Sequence, residues 1–594
     1  MTHVDYFIVA AFLITLATAG IAVAKLIHEA DDIFVAGREL TPFILCATIT
    51  ATNISIYHFV GFGGVAYAHG VSIIWLNWTG SMALVLSGLF VLPVLRRLRI
   101  RSIPEMLEIR YSLALRVLVG LFWSIRLGVY LGIILYVGAT AAVGITHWDN
   151  YNGWLLIFSF VAVMYSSIGG AWAVAIMDSV QFLVMLLGAL ITLPIAVHFA
   201  GGMPAIIHWL RTHNQATHTQ FIIPSFEQYD WLFVYSAMLL SIKWGTIDQS
   251  ILQRAFGSRD PRSGAKGMVL AAIITAPFAF FWILPGLAAS KLYPGQFSNP
   301  DNAIPFLLTN VLPHVARGLL GIVLCGLVAA QISVITADIN SVATLLTSDV
   351  YRKLRRTEPD QQELLRAVRI ASVICGVFML AVAVLLGHTG SGAVKANLTV
   401  VSILDLPLFV VTIIYGIFWK RTNWQGATAG FVVGALVGVF TYGFISPDFF
   451  GQHFAPCVVH FSRGLARQMT HWHDVLMAHG FQVRLQSSAT VASFLTALIV
   501  TPIASLLTRP TPPERTRAIW ESFKPDVGQG VHDSFRVFPE TAVGRFAVSL
   551  VLGGFVCFLG SVAWGARSGM YATTIAIVSM LVVFAGGMIR VYVD

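Results

Sequence analysis

The sequence predicts an all-α polytopic membrane protein of about fifteen transmembrane helices, and three observations carry that prediction. Charge is scarce: 37 Lys and Arg plus 28 Asp and Glu make only 11% of 594 residues, where soluble domains run near ~25%. Apolar residues make up 57%, and the mean hydropathy is +0.78. Long runs carry no charge at all: Thr41 to Leu95 suffices for two spans and a turn, and Leu127–Trp148, Gly267–Ser290, Ile370–Val394 and Phe546–Ala566 follow. Each reaches the roughly 18–20 residues that a spanning helix needs. A soluble enzyme is excluded, because its surface would need far more charge. Disorder is excluded, because disordered chains are charge-rich and poor in apolar residues. A β-barrel would show short alternating segments rather than long apolar blocks.

In chain order the spans fall at 5–27, 41–68, 72–95, 113–145, 152–170, 173–200, 228–253, 266–290, 316–349, 366–388, 396–419, 425–446, 486–508, 543–565 and 570–590. The first has no early Lys or Arg and no cleavage-site pattern, which makes it a retained helix and not a signal peptide. Five cysteines, mostly inside apolar runs, show no paired spacing, so neither a disulfide framework nor a metal site is expected of them. Residues 447–485 carry His453, His460, His471, His473 and His479 without metal-ligand spacing, and read as a polar cap helix with scattered histidines. Residues 509–542 are rich in Pro and charge and read as a linker.

An odd number of spans puts the two ends on opposite sides. The loops after odd-numbered spans, with the C-terminus, hold 27 of the 37 basic residues, and the other side holds 8. The positive-inside rule then places the N-terminus outside and the C-terminus in the cytoplasm of a plasma or inner membrane. The net charge of +9 is thus a topology signal. It does not mark a nucleic-acid surface, because clusters such as Arg96, Arg97, Arg99 and Arg101 sit in short interhelical loops.

Polar groups at membrane depth are costly and mark function. The second span carries Thr48, Thr50, Thr52, Asn53, Ser55, Tyr57 and His58, then Gly61, Gly63 and Gly64. That composition suits a helix that unwinds midway and frees carbonyls for a ligand or cation. Small-residue packing between helices accounts for the glycines but not for Asn53, Tyr57 and His58. The seventh span is interrupted in the same manner by Lys243, Gly245, Asp248 and Gln249. Two interrupted spans five helices apart are the pattern of a five-plus-five inverted repeat with its solute site at the midplane. In the ninth span Ser333, Thr336 and Asn340 recur on one helical face, with Ala330 one turn earlier. Their oxygens suit a hard monovalent cation. Asp178, Asp338 and Asp405 add carboxylates; Asp178 lies near the cytoplasmic end of its span, within reach of water, and Asp405 precedes Pro407.

Six segments in a fixed order resemble the sodium/solute symporters, the family that includes the sodium/glucose cotransporters. They are Phe34–Leu40, Arg101–Tyr111, Gly169–Gln181, Asp248–Arg254, Ala337–Tyr351 and Gly416–Arg421. The resemblance implies a LeuT-like core over residues 41–420, divided into a first repeat at 41–200 and a second at 201–420. A preceding segment at 1–40 and additional helices over 421–594 flank it. It also implies alternating access driven by sodium as the coupling ion. Ala51 and Ile54 match the family's carbonyl ligands for sodium, and Ala330 and Ser333 match its Ala and first Ser. The second Ser is replaced by Val334. Ser333, Thr336 and Asp178 match a second sodium site of some members. Among sugar-transporting members, Asn53 matches an Asn on the first core helix, His58 stands where they have Gln, and Asn77 where they have an acid. Trp244 matches the aromatic under the sugar, with Lys243 one residue before it.

The expectation is a sodium-coupled symporter of a small polar solute, a sugar or polyol, through Asn53, Tyr57, His58, Asn77, Trp244 and Lys243. An organic anion remains open if Lys243 faces inward. Coupling to a proton through Asp338 or His58, uncoupled transport, and a transporter-like sensor are the alternatives. Asp248, Asp338 and Asp405 are further intramembrane candidates. Partners are the solute and membrane lipid, with no nucleic acid and no obligate protein partner. No catalytic constellation points to an enzyme.

Overall fold

The computed structural model describes residues 1–593 other than 24–33, 147, 214–215, 225–227, 356–358, 390–400, 402, 447–449, 451–462, 480–483 and 525–534. The regular structure among these residues is helical, apart from one isolated bridge, Leu40 to Ser258. Helix α1 spans His3–Val23. Helix α2, Pro42–Asn53, starts where Thr41 accepts the Ile44 N–H and Pro42 occupies the first turn. It bends by 56° into α3, His58–His69. Next come α4, Val71–Arg97, and α5, Leu113–Thr146. Helices α6, Tyr151–Met164, and α7, Gly170–Phe199, are separated by a kink at Gly170 with φ 51° and ψ −159°, a conformation that only glycine adopts without strain.

Asp230 caps α8, Trp231–Ile247, by accepting the Leu232 and Phe233 N–H groups. The helix stops at Asp248, which caps α9, Gln249–Phe256. The remaining long elements are α10, Pro261–Leu292, α11, Leu319–Leu354, and α12, Gln361–His388. Helix α13, Ile403–Phe418, and α14, Trp424–Ile445, follow. Then come α15, Arg463–Ala478, α16, Leu485–Leu507, α17, Ala542–Gly565, and α18, Gly569–Tyr592.

A helix stands at each of the fifteen expected places. By length and apolarity, though, ten of the described helices are able to cross a bilayer, or eleven with the bent α2–α3 pair. Helices α1, α6 and α13 contain only shorter apolar stretches, and the seventh expected span is divided at Asp248. The most apolar windows of α4 and α11 are 89% buried, whereas those of α14 and α16 are only 28% buried. Helices α4 and α11 are therefore the interior of the bundle, and α14 and α16 face its surroundings.

Five of the six family-like segments make contacts with one another near one end of the bundle. The buried Arg110 side chain donates to the carbonyls of Gly416, Trp419 and Lys420 at 3.0–3.2 Å. Arg116 pairs with Asp349 at 2.6 Å and with Glu108 at 2.5 Å, and Ser102 donates to Asp349 at 2.8 Å. Gln253 donates to the Phe34 carbonyl at 2.7 Å. Burial pushes the Glu108 carboxyl up, but hydrogen bonds and charge from Arg116 and Lys353 outweigh it and hold it below the ordinary range.

The segment expected to be a linker is partly folded. Pro513–Glu521 forms a helix, Arg515 donates to the Tyr111 carbonyl, and Arg97 reaches the Ser522 carbonyl at 3.1 Å. Arg515 and Thr511 donate to carbonyls of the core, and Arg97 of the core donates to a carbonyl of the segment, which a sequence reading of Pro and charge does not reveal. The expected cap helix is α15, where His473 Nδ1 lies 2.7 Å from the Phe444 carbonyl. His453, Cys457, His460 and the start of the eleventh expected span lie outside the described residues. No group of three or more His, Cys, Asp or Glu able to hold a metal exists among the described residues.

Candidate functional site

Two adjoining polar regions meet at the break between α2 and α3. The first surrounds Asp178 on α7, which is fully buried rather than solvated at the end of its span. Thr48 donates to its Oδ2 at 2.6 Å and Thr52 at 3.4 Å, both from α2. Ser333 on α11 donates to its Oδ1 at 2.7 Å. The countercharge is Arg254 on α9, at 3.4 Å from Oδ2. Arg254 is held by Thr48 at 2.9 Å and by the Ser250 carbonyl at 2.5 Å.

The helix break sits beside this cluster. In a continuous helix the Ser55 N–H would reach the Ala51 carbonyl and the His58 N–H that of Ile54. Here the Ser55 N–H donates to His58 Nδ1 at 3.1 Å, and the His58 N–H donates to the Ser55 carbonyl at 3.0 Å. The Ala51 and Ile54 carbonyls are thereby released from their helical partners. Ala51 and Ala330 belong to one small buried cluster with Met185 and Ala329. The Thr336 hydroxyl donates back to its own helix, to the carbonyls of Ile332 at 2.9 Å and Ser333 at 3.0 Å.

The second region is a cavity of about 170 Å³. Asn53, Tyr57 and His58 line it from the break, Asn77 from α4, and Lys243 and Trp244 from α8. Thr52 lines it too, so one residue touches both Asp178 and the cavity. Val334 also faces the cavity, while the neighbouring Ser333 faces Asp178. His58 lies edge-on to Phe62 at 4.9 Å between ring centroids and tilted against Trp282 at 5.3 Å.

Lys243 faces inward, yet it is engaged: its Nζ lies 2.6 Å from Asp405 and 3.4 Å from Asp248. Asp405 also pairs with Arg126 at 2.7 Å. An organic anion therefore finds the cavity's lysine already neutralised. Asp248 accepts from the Ser250 hydroxyl at 2.7 Å, and Asp338 lines the cavity at 2% exposure.

Arg126 and Arg254 belong to this site although neither is among the residues that the sequence singles out. Arg126 was detectable as the one charge in the interior of a long apolar helix. Arg254 carried no such signal, because its helix ends in a basic loop.

Comparison with known proteins fits this geometry. The family model "Sodium:solute symporter family" matches residues 33–434. The chain is 28% identical over 441 residues to a sodium/glucose cotransporter of Vibrio parahaemolyticus, covering 69% of this chain and 79% of that protein. It is 26% identical over 440 residues to the human sodium/myo-inositol cotransporter 2, covering 68% of this chain and 64% of that protein. The fold matches the solved outward-open structure of a Na+-coupled sialic acid symporter with a TM-score of 0.69 at 20% identity, over 86% of this chain and 99% of that one. With the broken helices, the released carbonyls and a family model spanning most of its length, the chain belongs to the sodium:solute symporter family, as a multi-pass membrane transporter with sodium as its coupling ion.

Proposed function

We infer that the protein carries a small hydroxylated solute, a sugar or polyol, together with sodium by alternating access. The observation that carries this reading is the adjacency of the two regions across Thr52. The released carbonyls of Ala51 and Ile54, with Ala330, Ser333, Thr336 and Asp178, are the sodium ligands. Asn53, Tyr57, His58, Asn77, Lys243 and Trp244 hold the solute. A roughly 150 Å³ cavity accommodates benzene, so the volume here suits one six-membered ring. Trp244 supplies an apolar face for such a ring, and the amides supply hydrogen bonds to hydroxyls.

Sodium at the break draws α2 toward α7 and α11, which orders Thr52 and Asn53 at the cavity wall. Solute affinity and sodium affinity then rise together, as reciprocal linkage requires. The repeats are residues 41–200 and 201–420, each containing an interrupted helix, flanked by 1–40 and 421–594. The N-terminus is outside and the C-terminus cytoplasmic, in accord with Arg97, Arg110, Arg116 and Lys353 taking part in the network at one end of the bundle.

The test is uptake into proteoliposomes across a panel of sugars, polyols, amino acids and carboxylates, with and without a sodium gradient. Sodium-driven uptake of a monosaccharide or inositol is expected. Uptake confined to carboxylates or amino acids would refute the solute class.

A further inference from the structure

The charges around the cavity do not cancel. Among the described residues, Lys243 and Arg126 supply two positive charges, and both contact Asp405; Lys243 also contacts Asp248. Those two cations and two carboxylates form a neutral cluster. Asp338 is left over. It lines the same cavity and is 2% exposed. Its Oδ1 has no hydrogen-bond partner, the Ser250 hydroxyl, which also donates to Asp248, is its one hydrogen-bonding side chain among the described residues, and none of the ion pairs found among the described residues includes it. Its charged and titratable neighbours are Asp248 and Arg254 on α9, Arg126 and Tyr130 on α5, and Cys375 on α12. The Asn77 Oδ1, on another residue lining the cavity, is likewise buried and without a partner. Both unmatched groups are acceptors.

An ionised carboxylate at membrane depth with no cation in contact is strongly disfavoured. A ligand that brings a positive donor relieves that cost. A neutral hydroxyl relieves it only in part, and an anion adds to it. We propose that Asp338 seats a cationic group of the solute, so that the transported molecule is a small hydroxylated compound bearing a protonated amine. The ammonium lies against Asp338 with Ser250 beside it, and the ring and hydroxyls lie toward Trp244 and Asn53. This rests on the reading of the cavity as the solute site, and adds the charge of the solute to it.

The test uses the full-length protein in nanodiscs with saturating sodium. D-glucose, D-glucosamine and N-acetyl-D-glucosamine are titrated while the unfolding midpoint is read. Glucosamine is expected to raise the midpoint at a concentration about 10-fold or more below that of the two neutral sugars, the discrimination typical of a buried charged partner. Asp338→Asn is expected to abolish that gap, and Asp338→Glu to retain it. The shift produced by sodium alone reports that each variant is folded. Equal responses to glucose and glucosamine, or a gap that survives Asp338→Asn, overturn the proposal and leave the solute reading intact. A sodium-dependent response to none of the three overturns both. A proton is the other occupant able to neutralise Asp338. Glucose uptake driven by an imposed pH gradient and lost in Asp338→Asn would identify it and overturn the amine.

Discussion

The Asp178–Arg254 pair offers the sharpest quantitative test. Asp178→Asn keeps the side-chain shape but leaves the Arg254 guanidinium, 6% exposed, without its countercharge. Removing one partner of a buried ion pair costs about 3–5 kcal/mol. The lower end applies here, because the contact is a single one at 3.4 Å and Arg254 keeps its bonds to Thr48 and the Ser250 carbonyl. The new amide also presents an NH2 to hydroxyls that now donate, so either Thr48 or Ser333 must turn and accept. The double variant Asp178→Asn/Arg254→Gln removes both charges and is expected to recover about 2 kcal/mol relative to Asp178→Asn alone. The assay is unfolding of the purified protein, followed by tryptophan fluorescence, in sodium-free buffer and over a sodium titration. Sodium at about 100 times its dissociation constant stabilises by ~2.7 kcal/mol, and Asp178→Asn is expected to lose that increment. Arg254→Gln removes a positive charge beside the same carboxylate and is expected to lower the sodium concentration at half-response. An Asp178→Asn protein that unfolds like the parent and keeps its sodium response would refute the assignment, as would a double variant no better than the single.

Four further outcomes follow from the geometry. Gly286→Ala would set a Cβ 2.4 Å from the Gly63 carbonyl oxygen, so a loss of at least ~2 kcal/mol is expected, and an unchanged unfolding midpoint would contradict the close approach of α10 to α3. Arg116→Met leaves the fully buried Asp349 without its cation, which is expected to cost about 3–5 kcal/mol, with Arg116→Lys intermediate in the same unfolding assay. Trp244→Ala and Asn53→Ala are each expected to weaken solute binding by about 10-fold or more while sodium still raises the unfolding midpoint; a lost sodium response would show instead that the site had collapsed. Asp301, in the turn Pro300–Asn302 between α10 and the helix Ala303–Val315, has its carboxyl pushed up to about 6 by burial. Because the native pKa lies above the unfolded one, the native state binds the proton more tightly. Its contribution is fully present below about pH 4 and is lost as pH rises through 6. Asp301→Asn should therefore raise stability at pH 7 by on the order of 1–2 kcal/mol relative to the parent, and a pH profile identical to the parent's would refute it.

Much of the scaffold was legible because bilayer chemistry leaves few options. Apolar runs of spanning length must be helices, and the concentration of Thr, Asn and Gly in the second span announced a break that the structure places at Ile54 and Ser55. The interruption at Lys243–Gln249 was legible for the same reason and falls at Asp248. Residue matches to the family pointed to Asp178, Ser333, Ala51 and Ala330, which the fold does bring together. The helix Pro513–Glu521 within the Pro-rich segment after α16 was not legible, because its contact with the core runs through Arg515 to the carbonyl of Tyr111, 404 positions away in the chain.

Sequence by itself determined that this is a helical membrane protein, where two of its helices break, and which family it resembles. Those properties follow from local composition, since each residue's cost in lipid is fixed by its own side chain and its near neighbours. Only the tertiary structure decided how the few buried charges are matched. Arg126 finds Asp405 across 279 positions of the chain, and Arg254 finds Asp178 across 76. Lys243 is neutralised while Asp338 is not. Pairing is decided by which helix faces meet, at distances of a few ångströms, and no local pattern encodes that. The difference matters for function, because in a low-dielectric interior an unmatched charge is the group that a transported ligand is drawn to satisfy.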